Sequence, residues 1–217
     1  MATLPEAYVS QIRSPGASEH WSGPPEMVER IADTTGTTSR HRVLDLGCGI
    51  GGPARRLARL VRCEVLGIDV LEPVVRAARA RGSPVRYVVG RAEAVPLDDA
   101  TVDRVWILGA LAHFVDLERC LSEVARVLRP GGLVAATEAL WTGRDEPAFA
   151  VTAPRPWRPL TEREALQGMA RAGLREVRSL PWPGGGSGEP PVPSDRRLAE
   201  DLAAGRLRSS MVLGVRP

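Results

Sequence analysis

A doubly wound α/β fold, with helices on both faces of a mainly parallel sheet, is what the sequence predicts. Short apolar runs alternate with segments of helical periodicity from residue 42 onward. The run at 102–108 is nearly continuously apolar, which is typical of a parallel strand buried on both faces. A glycine-rich turn joins the first run to the first helix of this pattern, an arrangement that places a ligand at the edge of such a sheet.

The first strand ends in that glycine-rich turn. Residues 42–53 read RVLDLGCGIGGP, and a helical pattern follows from 54 to 61. Gly47, Gly49 and Gly51 let the backbone turn sharply and approach a bound molecule, because no Cβ stands in the way. The free N–H groups at the start of the helix face the same place. The turn is therefore predicted to hold a ligand.

Two carboxylates indicate which ligand. Asp69 closes the second apolar run, about 20 residues after the turn, where a carboxylate can accept both hydroxyls of a ribose. Asp45 precedes the first glycine by two positions; it would repel a pyrophosphate but attract an ammonium or sulfonium. Although Gly47, Gly49 and Gly52 also fit the dinucleotide spacing G-x-G-x-x-G, that match alone is weak. A cationic nucleoside is the favoured ligand.

The form D-x-G-x-G-x-G, followed by a ribose acid after the second strand, resembles motif I of the class I S-adenosylmethionine-dependent methyltransferases. The string VLDLGCGIGGP is most similar to the branch that acts on sterols, tocopherols, quinones and natural products. The segment LRPGG at 128–132 is a second hallmark. The resemblance implies a Rossmann-like, doubly wound seven-stranded sheet, mostly parallel with one antiparallel strand near the C-terminus. It also implies S-adenosyl-L-methionine as the cofactor.

The resemblance further implies where the cofactor binds. The stretch 90–97 is similar to the family's Gly-Asp-Ala-Glu-x-Leu-Pro-Phe segment, which lies over the adenine. Arg91 stands where the family usually has Asp or Asn, so the backbone of Ala92 and Glu93 is expected to serve instead. The cofactor-binding residues predicted in this way are Asp45, Gly47, Cys48, Gly49, Gly51, Asp69, Val70, Arg91, Ala92, Glu93 and Leu108.

Three side chains are candidate catalytic bases. After the fourth strand, where ligands sit in such folds, the sequence is similar to the family's Glu-x-Leu-His-His-x-x-Asp: His113 matches the second histidine, and Gly109 and Ala112 replace a Glu and a His. A packed, hydrogen-bonded histidine is an equal alternative for His113. Glu138, at the end of the fifth strand, could bind substrate or cap a loop, and His20 is the third candidate. A base is needed only when the acceptor must lose a proton.

The chain is expected to divide into an N-terminal lid or cap segment, residues 1–40, and a cofactor-binding domain, residues 41–217. Aromatic residues in the first segment favour a lid, with a solvated leader as the alternative. The interval 139–159 is expected to be a loop. Thr161 with Glu164 is a capping box that predicts a helix over 161–172. Arginines on the first two helices of the domain, Arg55 among them, are expected on solvated faces.

Composition argues against several classes of protein. Every one of the 29 basic residues is arginine, but 26 acidic residues leave a net charge of only +3, so no nucleic-acid partner is expected. Cys48, Cys63 and Cys120 show no metal or disulfide spacing, and no metal is predicted. No signal pattern and no apolar run of ~20 residues is found, which predicts a cytoplasmic protein without a membrane partner.

The predicted function is methyl transfer from S-adenosylmethionine (EC 2.1.1 class) to a small apolar or aromatic metabolite, in natural-product biosynthesis. Trp21, Trp141 and Trp157 fall in segments expected to surround the substrate, and a second subunit, as in a homodimer, could help to complete a shallow pocket. One alternative keeps the cofactor but catalyses a cyclisation or isomerisation without methyl transfer. Another, an NAD(P)-linked oxidoreductase, is opposed by Asp45. The acceptor and the atom methylated are left open.

Overall fold

The computed structural model describes residues 26–148, 158–182 and 193–217, and a seven-stranded sheet forms its centre. The strands are β1 (Arg42–Leu46), β2 (Glu64–Asp69), β3 (Arg86–Val89), β4 (Val102–Leu108), β5 (Leu128–Trp141), β6 (Arg175–Pro181) and β7 (Leu207–Val215). Their order is β3-β2-β1-β4-β5-β7-β6, with β1 to β5 parallel and β7 antiparallel to both of its neighbours. The predicted fold class, with one antiparallel strand near the C-terminus, is confirmed.

Six helices flank the sheet in the described residues, and their ends follow local sequence signals. They are α1 (Glu26–Thr34), α2 (Gly52–Val61), α3 (Glu72–Ala80), α4 (Leu117–Val127), α5 (Glu162–Arg171) and α6 (Pro193–Ala203). Pro53 lies in the first turn of α2, where its missing N–H would have had no partner. The Asp116 carboxylate accepts from Arg119 N at the start of α4. The capping box of Thr161 and Glu164 at α5 is confirmed.

Helices cover both faces of the sheet because strand side chains alternate between the faces. On one face, α1 and α2 bury Ile31 and Leu57 in the cluster that also contains Trp106 of β4. On the other, α4 buries Leu121 in the cluster that contains Ile107, the next residue of β4. This two-layered core fixes the carboxyl ends of β1, β2, β4 and β5 at one edge.

The structure leaves one expectation about the organisation of the chain untested and corrects another. The division at residue 40 stays a prediction: residues 1–25 lie outside the described part, and α1, which belongs to the predicted lid segment, packs on the same core as β1. The loop expected over 139–159 was wrong at its start, because β5 continues to Trp141, which is paired with Leu207. The antiparallel partner β7 supplies hydrogen bonds that the local sequence does not reveal.

Candidate active site

The glycine turn after β1 is tied to the end of β2 by backbone hydrogen bonds. Gly47 N and Cys48 N both donate to Ile68 O, at 2.8 and 3.0 Å. The φ angles of Gly47, Gly49 and Gly51 are 78°, 53° and 74°, in the left-handed region that favours glycine. The sequence therefore forms this turn because three of its positions carry no side chain.

Gly51 also has no room for a side chain. A Cβ there would lie 2.2 Å from the hydroxyl of Tyr87, which donates to Gly51 O at 3.1 Å. Arg55 is buried below the turn, only 2% exposed, and its Nη1 donates to Ile50 O at 2.6 Å. The expectation that Arg55 lies on a solvated face was wrong, because its guanidinium turns inward to donate to a carbonyl group of the turn. Arg55 lies three residues before the buried Ala58, and residues three apart share a helix face. This spacing could have indicated that Arg55 is buried.

Asp69, at the end of β2, is held beside the turn. Its Oδ2 accepts from Gly49 N at 2.9 Å and its Oδ1 from Leu71 N at 3.0 Å. A carboxylate has about four lone-pair sites, so each oxygen can accept a further hydrogen bond. Burial raises the pKa of Asp69, while these backbone hydrogen bonds act in the opposite direction. Both oxygens of Asp69 therefore keep acceptor capacity for a ligand, and the two hydroxyls of a ribose stay a prediction.

Asp45 is buried without a full set of partners. The residue is 3% exposed, and its Oδ2 has no hydrogen bond. Burial, and secondarily the neighbouring carboxylate of Asp69, raise its pKa from 3.8 to about 7. An uncompensated buried carboxylate is unfavourable unless a cation approaches it. An ammonium or sulfonium group at this position would supply the missing partner.

The segment predicted to lie over an adenine follows β3 and contacts the end of β2. Gly90 N donates to Asp69 O at 3.0 Å. Arg91 and Ala94 form an isolated antiparallel bridge, and Arg91 Nε lies 3.4 Å from Glu93 Oε2. Ala92 is buried. The Arg91 guanidinium therefore engages its own loop.

The predicted cofactor residues gather at one edge of the sheet. Val70 lies directly after Asp69 and is 52% exposed, and Leu108 ends β4, the strand next to β1. The turn, Asp69 and the loop after β3 all lie at the carboxyl ends of neighbouring parallel strands. These are the positions at which a doubly wound sheet binds its ligand.

His113 belongs to a short 3-10 turn, Leu111–His113, that follows β4. Ala110, which precedes this turn, packs against the glycine turn: a Cβ at Gly47 would lie 2.6 Å from the Cβ of Ala110. Of the influences on the pKa of Asp69, the electrostatic effect of His113 is the smallest, and it acts to lower that pKa. The structure thus places His113 within electrostatic range of Asp69.

Both carboxylate oxygens of Glu138 accept hydrogen bonds from backbone N–H groups, one of which belongs to that turn. Its Oε2 accepts from Ala112 N and its Oε1 from Ala139 N, each at 3.0 Å. Burial raises the pKa of Glu138 to about 7, and the backbone hydrogen bonds act in the opposite direction. Glu138 therefore holds the segment that carries His113, which agrees with the loop-capping alternative; the position of Glu138 at a strand end does not reveal which loop it caps.

Other expected site residues lie elsewhere or outside the described part. His20, Trp21 and Trp157 fall in residues that the structure does not describe. Trp141 Nε1 donates to Arg144 O at 2.7 Å, which fixes its indole against the loop after β5. Within the described ranges, no group of three or more His, Cys, Asp and Glu side chains could hold a metal. No helix of those ranges is both long and apolar enough to cross a bilayer.

Comparison with known proteins agrees with this geometry. Residues 44–136 match the family model described as "Methyltransferase domain". The sterol 24-C-methyltransferase of Eremothecium gossypii is 36% identical over 118 residues, which are 52% of this chain. The match spans about a third (32%) of the length of that relative.

Two solved structures share the fold. The [4+2]-cyclase SpnF has a TM-score of 0.74 and 20% identity, with 97% of this chain and 93% of that chain covered. Geranyl diphosphate C-methyltransferase from Streptomyces coelicolor A3(2), in complex with Mg²⁺, geranyl diphosphate and S-adenosyl-L-homocysteine, has a TM-score of 0.73 and 20% identity. The alignment covers 88% of this chain and 77% of that one. Residues 44–136 thus match the methyltransferase domain family, and the chain shares the fold of solved methyltransferase structures.

Proposed function

We propose that this protein transfers a methyl group from S-adenosylmethionine to a small, apolar metabolite of natural-product biosynthesis. The observation that carries the proposal is the buried Asp45 carboxylate, whose Oδ2 lacks a partner at the edge where Asp69 and the glycine turn meet. A dinucleotide would place its diphosphate against two carboxylates, whereas the amino acid part of S-adenosylmethionine brings an ammonium. The negative charge of the site therefore favours S-adenosylmethionine over a dinucleotide.

The chain's own residues divide the work of holding that cofactor. Asp45 would accept from the ammonium, Asp69 from the ribose hydroxyls, and the backbone of Ala92 and Glu93 would face the adenine. When bound, the sulfonium supplies an electrophilic methyl group. Because that group is already activated, the protein has mainly to orient the acceptor and exclude water, which can contribute on the order of 7–11 kcal/mol.

The names of a relative and of a structural neighbour support an acceptor with a large apolar part: one acts on a sterol and the other on geranyl diphosphate, whose prenyl chain is apolar, and both are C-methyltransferases. In this chain the half-buried Phe114 and the 74% exposed Val115 follow His113 directly, so apolar surface lies beside the candidate base. Methylation at carbon or at a hydroxyl requires loss of a proton. We infer that His113 accepts it and that Glu138 positions the turn, while His20 stays a prediction.

Calorimetric titration with S-adenosylhomocysteine and, in parallel, with NAD tests the proposed cofactor. We expect the first to bind and the second to give no heat; the reverse result would refute the proposal. Mass spectrometry of reactions with sterol and prenyl acceptors then reports the gain of one methyl group. His113→Ala should lose turnover but keep affinity for S-adenosylhomocysteine, and undiminished turnover would exclude His113 as the base.

A second candidate function is a cyclisation in which the cofactor site is kept but no methyl is transferred. Gly109, at the end of β4, is exposed, and a Cβ built on it would meet nothing within 4 Å, so the acceptor side is open at this position. The [4+2]-cyclase SpnF supports this alternative through fold alone. A product of unchanged mass would favour cyclisation. Cytoplasmic location, a homodimer and the absence of a nucleic-acid partner stay predictions.

A further inference from the structure

Three charged residues of α4 form one polar strip. Arg119, Glu123 and Arg126 are spaced by four and three positions, which places them on the same face of the helix. That face lies against the loop between β3 and β4, the loop that carries Ala92 and Glu93. This polar strip was not predicted from the sequence, although its helical spacing is a readable signal.

The strip binds the backbone of the loop at every second residue. Arg119 Nε donates to Glu93 O at 3.1 Å. Val95 N donates to Glu123 Oε2 at 2.9 Å, and Val95 O accepts from Arg126 Nη2 at 3.0 Å. The next contact in the series is Arg126 Nη1 to Leu97 O, at 2.7 Å. The helix thus supplies hydrogen-bond partners to the backbone of a segment that is made of turns and bends.

The strip is itself well organised. Arg126 donates to both oxygens of Glu123, at 2.9 and 2.8 Å, and to Asp99 at 2.8 Å. Glu123 is 7% exposed, and its hydrogen bond to Arg126 lowers its pKa. The same two acids raise the pKa of Arg126. Both charges are therefore retained at neutral pH, and a fork of this kind has a defined geometry.

We propose that Arg119, Glu123 and Arg126 are positioning residues that hold the loop at 90–99 in the conformation that binds the adenine of the cofactor. This inference rests on the proposed function. Ala92 and Val95 of the loop are buried in the core, whereas Ala94, Pro96, Asp98 and Asp99 are exposed, so the hydrogen bonds of the strip add to an apolar anchor at part of the loop. When a loop must be ordered on binding, the apparent affinity scales with the fraction of time that the loop spends in the binding-competent conformation.

The strip also connects the two halves of the site. Its helix begins at Leu117, directly after the segment that carries His113 and the capping residue Asp116. Arg119, the first residue of the strip, donates through its backbone N–H to the Asp116 carboxylate and through its side chain to Glu93 O. Movement of the acceptor-side turn would therefore be transmitted to the adenine loop.

Arg126→Met and Arg119→Met test the inference. We expect the dissociation constants of S-adenosylhomocysteine and of 5′-methylthioadenosine, which lacks the amino acid, to rise together by about tenfold for Arg126→Met, because a loop competent for one tenth of the time binds ten times more weakly. In turnover assays KM for S-adenosylmethionine should rise with kcat retained. Arg126→Lys, which keeps the charge but not the fork, should restore part of the affinity.

The matched control lies on the same helix. Glu118 pairs with Arg171 at 2.8 Å through side chains that are 68% and 57% exposed, so Glu118→Gln should leave both dissociation constants unchanged. Thermal unfolding of every variant separates loss of folded protein from loss of affinity. Arg119→Met removes only the exposed hydrogen bond to Glu93 O. If Arg126→Met does not fold, the dissociation constants of Arg119→Met still test the inference.

Two results would overturn the inference. One is wild-type affinity for S-adenosylhomocysteine in folded Arg126→Met and Arg119→Met, which would leave the proposed function intact. The other is a loss confined to S-adenosylhomocysteine, with 5′-methylthioadenosine binding unchanged, since the strip would then act on the amino acid side. Failure of the wild type to bind either nucleoside would instead refute the proposed function, and this inference with it.

Discussion

Asp45→Asn should stabilise the ligand-free protein and abolish tight cofactor binding. Asp45 is buried, its Oδ2 has no partner, and Asp69 is a second carboxylate nearby. Asparagine has nearly the same shape but carries no charge. The substitution therefore removes an unfavourable buried charge and, with it, the feature that we infer attracts the ammonium.

The pKa of Asp45 gives the size and the sign of the effect. It rises from 3.8 to about 7 on folding, which corresponds to an upper figure of roughly 4 kcal/mol when the group is ionised. Between these two pH values the folded protein holds a proton that the unfolded chain has lost, so the stability of the wild type falls as the pH rises. The variant lacks this group. Its advantage in unfolding free energy should grow from pH 4 to pH 8 by up to about 4 kcal/mol.

Urea unfolding at pH 4, 6 and 8 measures this difference, with the exposed Asp33→Asn as control. Calorimetry measures the binding side, where loss of one partner of a buried charge pair costs about 2–5 kcal/mol, roughly 30-fold or more in affinity. S-adenosylmethionine and S-adenosylhomocysteine should be weakened equally if the contact is to the ammonium, which both carry. Near pH 6, wild-type binding should also release a proton, since the cation ionises Asp45.

Either of two observations would refute this reasoning. The first is an Asp45→Asn protein that binds S-adenosylhomocysteine within twofold of the wild type. The second is an advantage in stability that shrinks, rather than grows, as the pH is raised. The pH slope is the stricter test, because any fixed penalty from burying an asparagine amide is the same at every pH.

Three further substitutions test the frame of the site. Gly51→Ala should destabilise strongly, because its Cβ would lie 2.2 Å from the Tyr87 hydroxyl, whereas Gly82→Ala, also at positive φ but with nothing within 4 Å, should cost only about 1–2 kcal/mol; urea midpoints compare them. Glu138→Gln should lose about 1–3 kcal/mol in thermal unfolding, since its amide NH2 would face a backbone N–H, and should lose turnover with cofactor affinity kept; retained turnover would contradict the positioning role. Thr161→Ala should lower unfolding free energy by about 1 kcal/mol without any effect on binding, and no loss would contradict the capping role.

The part of the site that the sequence could predict is the part that local pattern encodes. The strand, glycine turn and helix from 42 to 61 follow from an apolar run, positions that require left-handed φ, and a proline at a helix start. Asp45 and Asp69 could be predicted because each lies at the end of a short apolar run, and parallel strands bring those ends together. In this part of the chain, the residues that determine the local structure also include the residues that are predicted to bind the ligand.

What could not be predicted depends on contacts between distant parts of the chain. Glu138 serves the turn at Ala112, 26 residues earlier, and Tyr87 closes the space above Gly51, 36 residues earlier. Trp141 lies in a strand because Leu207 of β7 and Thr161 both pair with it. From the sequence, a carboxylate at a strand end looks the same whether it binds a ligand or accepts a hydrogen bond from a backbone N–H. Only the fold shows which of these two roles the side chain has.

Asp45 shows how that distinction can be made. Glu138 and Asp45 are both buried carboxylates at strand ends, and burial raises the pKa of each to about 7. The backbone satisfies both oxygens of Glu138, so its burial is explained by the fold that it holds. Oδ2 of Asp45 has no such partner, and an apolar residue in its place would make the ligand-free protein more stable. A group that weakens the fold and leaves a buried oxygen without a partner is best explained by a molecule that the fold has to bind.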